Sequence, residues 1–315
     1  NPHYGTPGNP HDRRLIPGGS SSGAAVSVGD RQAIVAIGSD TGGSVRIPAA
    51  LCGLSGFKPT QSRIPRNGVV PLSTTLDSIG PLANSIACVA IADAVMAGEP
   101  AEAPAPMPVD GLRLLVPRSH VFDGLAPEVE SAFGAACSAL SRVGARIVDR
   151  ALPELDEIPK INAAGGFAPI EAYAWHQPLI ARRGGDYDPR VRGRIERAEG
   201  MSAVEYIELR AMRAALIARL APLTAGFDAM LMPTVAITAP PIAAFADDAD
   251  YRRLNALILR NCSAINFLDR CAVTVPIQKP GDAPVGLMIV GEHGGDRRLL
   301  AVARGIEEAL ATAVG

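Results

Sequence analysis

Two short stretches of this chain set serine, glycine and an acid at spacings that would suit acyl transfer. The first is Gly38–Pro48, GSDTGGSVRIP, directly after the run Ala33-Ile34-Val35-Ala36-Ile37. Five apolar residues rich in β-branched side chains and closed by Gly38 read as a buried strand. A strand that ends in a glycine-rich turn presents backbone N–H groups at its tip. Ser44, at the end of that turn, would hold its hydroxyl beside them, and a nucleophile with oxyanion donors is the minimum equipment for acyl transfer. The second stretch, Pro17–Gly29, PGGSSSGAAVSVG, reads on its own as a Gly/Ser loop leading into a helix.

Competing chemistries fail on the same residues. Asp40-Thr41-Gly42 is similar to an aspartic-protease loop, but that chemistry needs two carboxylates and no second D-T-G exists in the sequence. A phosphate-binding loop would place a lysine after the glycines, and none follows. The five histidines (His3, His11, His120, His176, His293) are scattered without ligand spacing, so neither a metal nor a cofactor is expected. The five cysteines (Cys52, Cys88, Cys137, Cys262, Cys271) include no C-x-x-C and lie in apolar settings, which suits buried, reduced thiols in a cytoplasmic protein. A formal net charge of −2 over 315 residues gives no footprint for nucleic acid or an anionic membrane. No apolar run is long enough to span a bilayer.

The elements that must carry these motifs follow from periodicity and punctuation. A helix is expected from about Ser21 to Val28, and another over Ile86–Ala97, stopped by Gly98. Glu99–Pro108 (EPAEAPAPMP) is a linker. Leu112–Val116 is a strand, followed by a helix from Pro127 with Val129, Phe133, Ala136, Leu140 and Val143 on one face. Arg146–Val148 is the next strand, and this β-α-β order implies parallel pairing. From Phe167 to Leu220 the chain is mostly helical, with a Ser202/Glu205 capping box. Ala229–Met232, Cys271–Ile277 and Val285–Val290 are further strands, and Asp296 caps a last helix to about Leu310. The fold class is α/β.

Taken together, the two serine stretches resemble the amidase signature family. The resemblance runs from Gly5 to Ser85 and resumes at FDAMLMPT and at NFLDRCAVTVPI…PVGLMIVGEHGGDRRLLAVA. It is weak over the middle of the chain. It implies one amidase signature domain over 1–315, lacking its N-terminal segment, with a variable and mostly helical portion at 100–225. The implied fold is a mixed central sheet with helices on both faces.

The resemblance also carries roles. Ser44 matches the nucleophile, and Ser20 matches a bridging serine that follows a cis peptide bond, here Gly19–Ser20. Thr41, Gly42 and Gly43, with Ser44, match the backbone donors of the oxyanion hole. Asp40, Arg46 and Ser21 match the supporting residues. In the family a neutral lysine takes the nucleophile's proton through the bridging serine, and that lysine lies well before it.

Of the 30 basic residues only Lys58, Lys160 and Lys279 are lysines, and all follow Ser20. The expectation is therefore that the base belongs to a segment absent from this sequence. It follows that no lysine nitrogen should reach Ser20 and that apolar surface should lie open along the sheet or its helices.

Three functions remain open. One is a free-standing hydrolase of small amides, favoured by PLSTTLDSIGPLANS and NFLDRCAVTVP, for which a homodimer is left open. Another is the amidase subunit of glutamyl-tRNA amidotransferase, and the third is a non-catalytic homologue that has lost its base. Tyr173, Trp175 and His176 would either line a pocket or pack on the surface.

Overall fold

The computed structural model describes residues 4–314; His3 lies outside them. Among the described residues eight strands form one mixed sheet: β1 (Val35–Asp40), β2 (Ser55–Lys58), β3 (Ser78–Ala83), β4 (Arg113–Arg118), β5 (Arg146–Ala151), β6 (Ala229–Pro233), β7 (Ala272–Pro276) and β8 (Gly286–Val290). Their spatial order is β1-β3-β2-β7-β8-β6-β4-β5. β4 pairs in parallel with β5 and β6, as the β-α-β reading requires. The remaining pairs are antiparallel.

The helices around the sheet are α1 (Ser22–Gly29), α2 (Arg46–Leu51), α3 (Ile86–Met96), α4 (Pro127–Arg142), α5 (Ile158–Ile161), α6 (Phe167–Arg183), α7 (Pro189–Glu196), α8 (Ala203–Thr224), α9 (Asp248–Phe267) and α10 (Asp296–Val314). The inner strands alternate strictly between two cores. Leu114, Leu231, Leu287 and Ile289 meet α3, α4 and α10 on one face. Leu115, Met230, Met232 and Met288 meet α2, α8 and α9 on the other. Burial on both faces is why these strands read as unbroken apolar runs. Local signals also hold: Ser85 caps α3 by accepting from the Cys88 N–H, and Ser202 and Glu205 form their capping box on α8.

Several expectations are corrected. The strand before the serine turn is not buried: Ile34 is 79% and Ile37 59% exposed. β1 is an end strand of the sheet, with Ile37 and Ser39 facing solvent and Gly38 and Asp40 turned inward. Five apolar residues in a row cannot distinguish a central strand from such an edge. On α4, Val143 falls beyond the helix and is 43% exposed. Asp296 is the first residue of α10, but its carboxylate accepts from the Thr60 N–H rather than capping its own helix. Cys88 and Cys137 are only half-buried, whereas Cys52, Cys262 and Cys271 are buried. Among the described residues no helix is long and apolar enough to cross a membrane.

Candidate active site

The turn between β1 and α2 is built around a fully buried ion pair. Arg46 donates from Nε and Nη2 to the two carboxylate oxygens of Asp40, each at 3.0 Å. The same carboxylate accepts from the Gly43 N–H at 2.8 Å and the Val45 N–H at 3.2 Å, which folds the turn back over it. Burial opposes the charge on Asp40, but Arg46 and the Asn266 amide outweigh it and hold the carboxyl at about 2. Asn266 comes from α9 and donates to both the carbonyl and the carboxylate of Asp40, at 3.0 and 2.8 Å. Its own side-chain oxygen accepts from Arg46 Nη2 at 2.5 Å. Asp40 and Arg46 therefore occupy the supporting positions read from the sequence, with a third partner that the sequence did not reveal.

The turn's N–H groups divide into two sets. Gly43 N–H is committed to Asp40, so it is not free to meet a ligand. The N–H groups of Thr41, Gly42 and Ser44 have no partner among the described residues. Unpartnered backbone N–H groups are what a developing oxyanion requires. Gly43 has φ +120°, and a Cβ there would come within 2.4 Å of Cys262 Cβ and 2.6 Å of Ile47 Cδ1. Only glycine fits there. Two side chains brace the turn from outside: Ser263 of α9 donates to the Gly42 carbonyl at 3.1 Å, and Thr41 Oγ1 donates to Asp77 at 2.5 Å.

The second serine loop lies against this turn. The peptide bond between Gly19 and Ser20 is cis. Ser21 N–H donates to the Ser44 carbonyl at 3.2 Å, and Ser21 Oγ sits where a Cβ on Gly38 would be, 2.3 Å from it. Ser22 Oγ donates to the Gly18 carbonyl at 2.9 Å. Ser20 is exposed and Ser44 half-buried. Among the described residues neither of their hydroxyls has a hydrogen-bond partner, so the two loops are joined by main chain and not by a serine–serine bond.

Among the described residues no lysine nitrogen bonds to Ser20. Lys58 is buried, and its Nζ donates to the carbonyls of Pro59 at 2.8 Å and Arg270 at 2.9 Å. Burial first, and then the nearby Arg46 charge, lowers Lys58 to about 8. Lys160 and Lys279 are exposed.

A polar chain leads outward from Thr41 into the helical middle of the protein. Asp77 accepts from Thr41 and also from the N–H groups of Leu72 and Ser73, both at 2.9 Å. Ser73 Oγ and Thr75 Oγ1 both donate to Glu171 of α6, which also accepts from Tyr206 of α8 at 2.6 Å. Glu171 was not foreseen. The residues singled out beside it, Tyr173, Trp175 and His176, do not join this chain. Trp175 is 47% exposed and packs on His176, whose Nδ1 meets the Tyr187 hydroxyl at 2.7 Å, a surface cluster.

Comparison with known proteins gives the chain a family. The Amidase family model matches residues 1–300. Over 98% of its length the chain is 38% identical to the 2-amino-5-chloromuconic acid deaminase of Comamonas testosteroni, covering 68% of that protein. It is 32% identical to a glutamyl-tRNA(Gln) amidotransferase subunit of Chloroflexus aggregans, over 93% of this chain and 67% of that one. A solved amidase structure superposes with a TM-score of 0.85 at 28% identity, over 98% of this chain and 69% of the other. The chain belongs to the amidase family, enzymes that hydrolyse amide carbon–nitrogen bonds.

Proposed function

We propose that the chain hydrolyses a small-molecule amide through an acyl-enzyme on Ser44. The observation that carries this reading is the Asp40-anchored turn, which leaves the N–H groups of Thr41, Gly42 and Ser44 unpartnered beside the Ser44 hydroxyl's own residue. Ser44 Oγ attacks the amide carbonyl carbon, and its proton passes to Ser20. The carbonyl oxygen, now negative, is received by those N–H groups. Ser20 returns a proton to the leaving nitrogen, the C–N bond breaks, and water then cleaves the ester to release acid and free Ser44.

A hydroxyl cannot hold that proton unaided, and the resemblance to the family implies that Ser20 hands it to a neutral lysine. That lysine is none of the three in this sequence: Lys58 is spent on two carbonyls, and Lys160 and Lys279 lie exposed elsewhere. Gly43, expected among the oxyanion donors, serves instead to close the turn onto Asp40. Residues 1–315 act in this reading as one amidase domain, with 100–225 as its variable, mostly helical portion. A free-standing enzyme is favoured over an amidotransferase subunit because the deaminase relative is matched at higher identity.

Replacing Ser44 by alanine tests the reading. In the active enzyme, Ser44→Ala should lose about 10³-fold or more in kcat while its melting temperature stays close to that of the parent, because only a turn hydroxyl is removed. An amidase that survives this change refutes the assignment.

A further inference from the structure

The loop between β2 and β3 forms an open cleft of about 260 Å³ lined by Arg66, Asn67, Val69, Pro71, Thr74 and Asp77. Its floor is the residue that braces the serine turn. Asp77 accepts from Thr41 Oγ1 with its carboxylate and from Arg66 Nη1 with its backbone carbonyl, the latter at 3.2 Å. Arg66 Nη1 also donates to the Thr74 carbonyl at 3.0 Å. Those two bonds hold the half-buried guanidinium by one corner. Among the described residues its Nε and Nη2 have no acceptor, and Arg66 forms no ion pair.

Among the described residues no carboxylate pairs directly with that guanidinium. Asp77, the acid that lines it, is 5% exposed and its oxygens are taken by Thr41, Leu72 and Ser73. The free edge of Arg66, Nε and Nη2 side by side, is the edge that pairs with both oxygens of a carboxylate at once. Asn67 and Thr74 add polar groups, while Val69 and Pro71 supply apolar wall. A cleft of this size suits a short carbon chain.

We propose that Arg66 binds a carboxylate of the substrate, so that this enzyme acts on small amides carrying a free acid group. The inference rests on the Ser44 reading, and Arg66 serves as a substrate-binding residue one amino acid removed from the serine turn. Asp77 ties the two places together, its carboxylate accepting from Thr41 and its carbonyl from Arg66.

The test uses the monoamides of malonic, succinic, glutaric and adipic acids, each paired with its methyl ester, on the active enzyme. At least one free acid should be preferred over its ester. Arg66→Gln should lower the acid-to-ester ratio of kcat/KM by about 10- to 100-fold, mainly through the KM of the acid. Should Arg66→Gln melt, Arg66→Lys keeps the charge and a donor for the carbonyls, and its acid-to-ester ratio should still fall. The proposal is overturned if no acid is preferred. It is equally overturned if acid and ester decline together in the variant, which would make Arg66 only a clamp for its loop. Activity surviving in Ser44→Ala would overturn the Ser44 reading instead, so the two failures are separable.

Discussion

The backbone N–H of Ser21 donates to the carbonyl oxygen of Ser44 across 3.2 Å. This bond registers the PGGSSSG loop against the GSDTGGS turn through main chain alone, leaving the hydroxyls of Ser20 and Ser44 uncommitted. A hydroxyl tied into a structural bond would have to break it before reacting. The supporting bonds are instead made by groups that take no part in the chemistry, and three of these groups give measurable expectations.

Asp40 is the first. Burial would raise its carboxyl, but Arg46 and Asn266 outweigh that effect and hold it at about 2 against an ordinary 3.8. A lowered folded-state pKa stabilises the fold above the unfolded value and is lost as pH falls towards the folded one. About 2 kcal/mol should therefore disappear between roughly pH 4 and pH 2. Asp40→Asn should remove this dependence and, at pH 7, cost about 3–5 kcal/mol, because Arg46 would be left charged and buried without its partner. Urea unfolding of both proteins across that range measures it; parallel curves would refute the assignment.

Lys58 is the second. Burial and the Arg46 charge lower it to about 8 from 10.5. The unfolded chain then binds the extra proton between those values, so stability from this group grows as pH rises from about 8 to 10.5 and is lost on the way down. Against Lys58→Met, the parent should gain about 3 kcal/mol over that interval. The variant should also be less stable at pH 10.5, since the Pro59 and Arg270 carbonyls lose their donor. A stability difference that does not move with pH would show that Lys58 stays charged throughout.

What could be read from the sequence followed the range of each interaction. β4, β6, β7 and β8 are buried on both faces and announce themselves as apolar runs. Ser20, Asp40, Ser44 and Arg46 sit in two contiguous motifs. β2 and β3 escaped notice because SGFK and SIGPLA are short and broken by glycine, lysine or proline. The helix α9 went unread although Leu254, Ile258, Cys262 and Ile265 step by 4, 4 and 3, because its arginines and asparagines mask the stripe. Its Asn266 reaches Asp40 across 226 residues of chain, and Glu171 reaches Ser73 across 98. No local pattern encodes such a pairing; the packing of the helices onto the sheet creates it.

Glu171 is the third. Its carboxylate accepts from Ser73, from the Thr75 N–H and hydroxyl, and from Tyr206, and so pins the loop whose Asp77 holds Thr41. An amide offers one acceptor oxygen where the carboxylate offers two, so Glu171→Gln must leave some of those donors unpaired, at about 1–3 kcal/mol. The loop should loosen, and with it the brace on the Thr41 turn, whose N–H groups matter only when charge develops on the substrate oxygen. The loss should therefore fall on kcat, by about tenfold, with KM little changed. Tyr206→Phe, which removes a single donor, should show a smaller drop of the same kind. Steady-state kinetics on both variants, alongside their melting temperatures, decides the matter. A fall in stability with kcat untouched would mean that Glu171 secures the loop without reaching the turn.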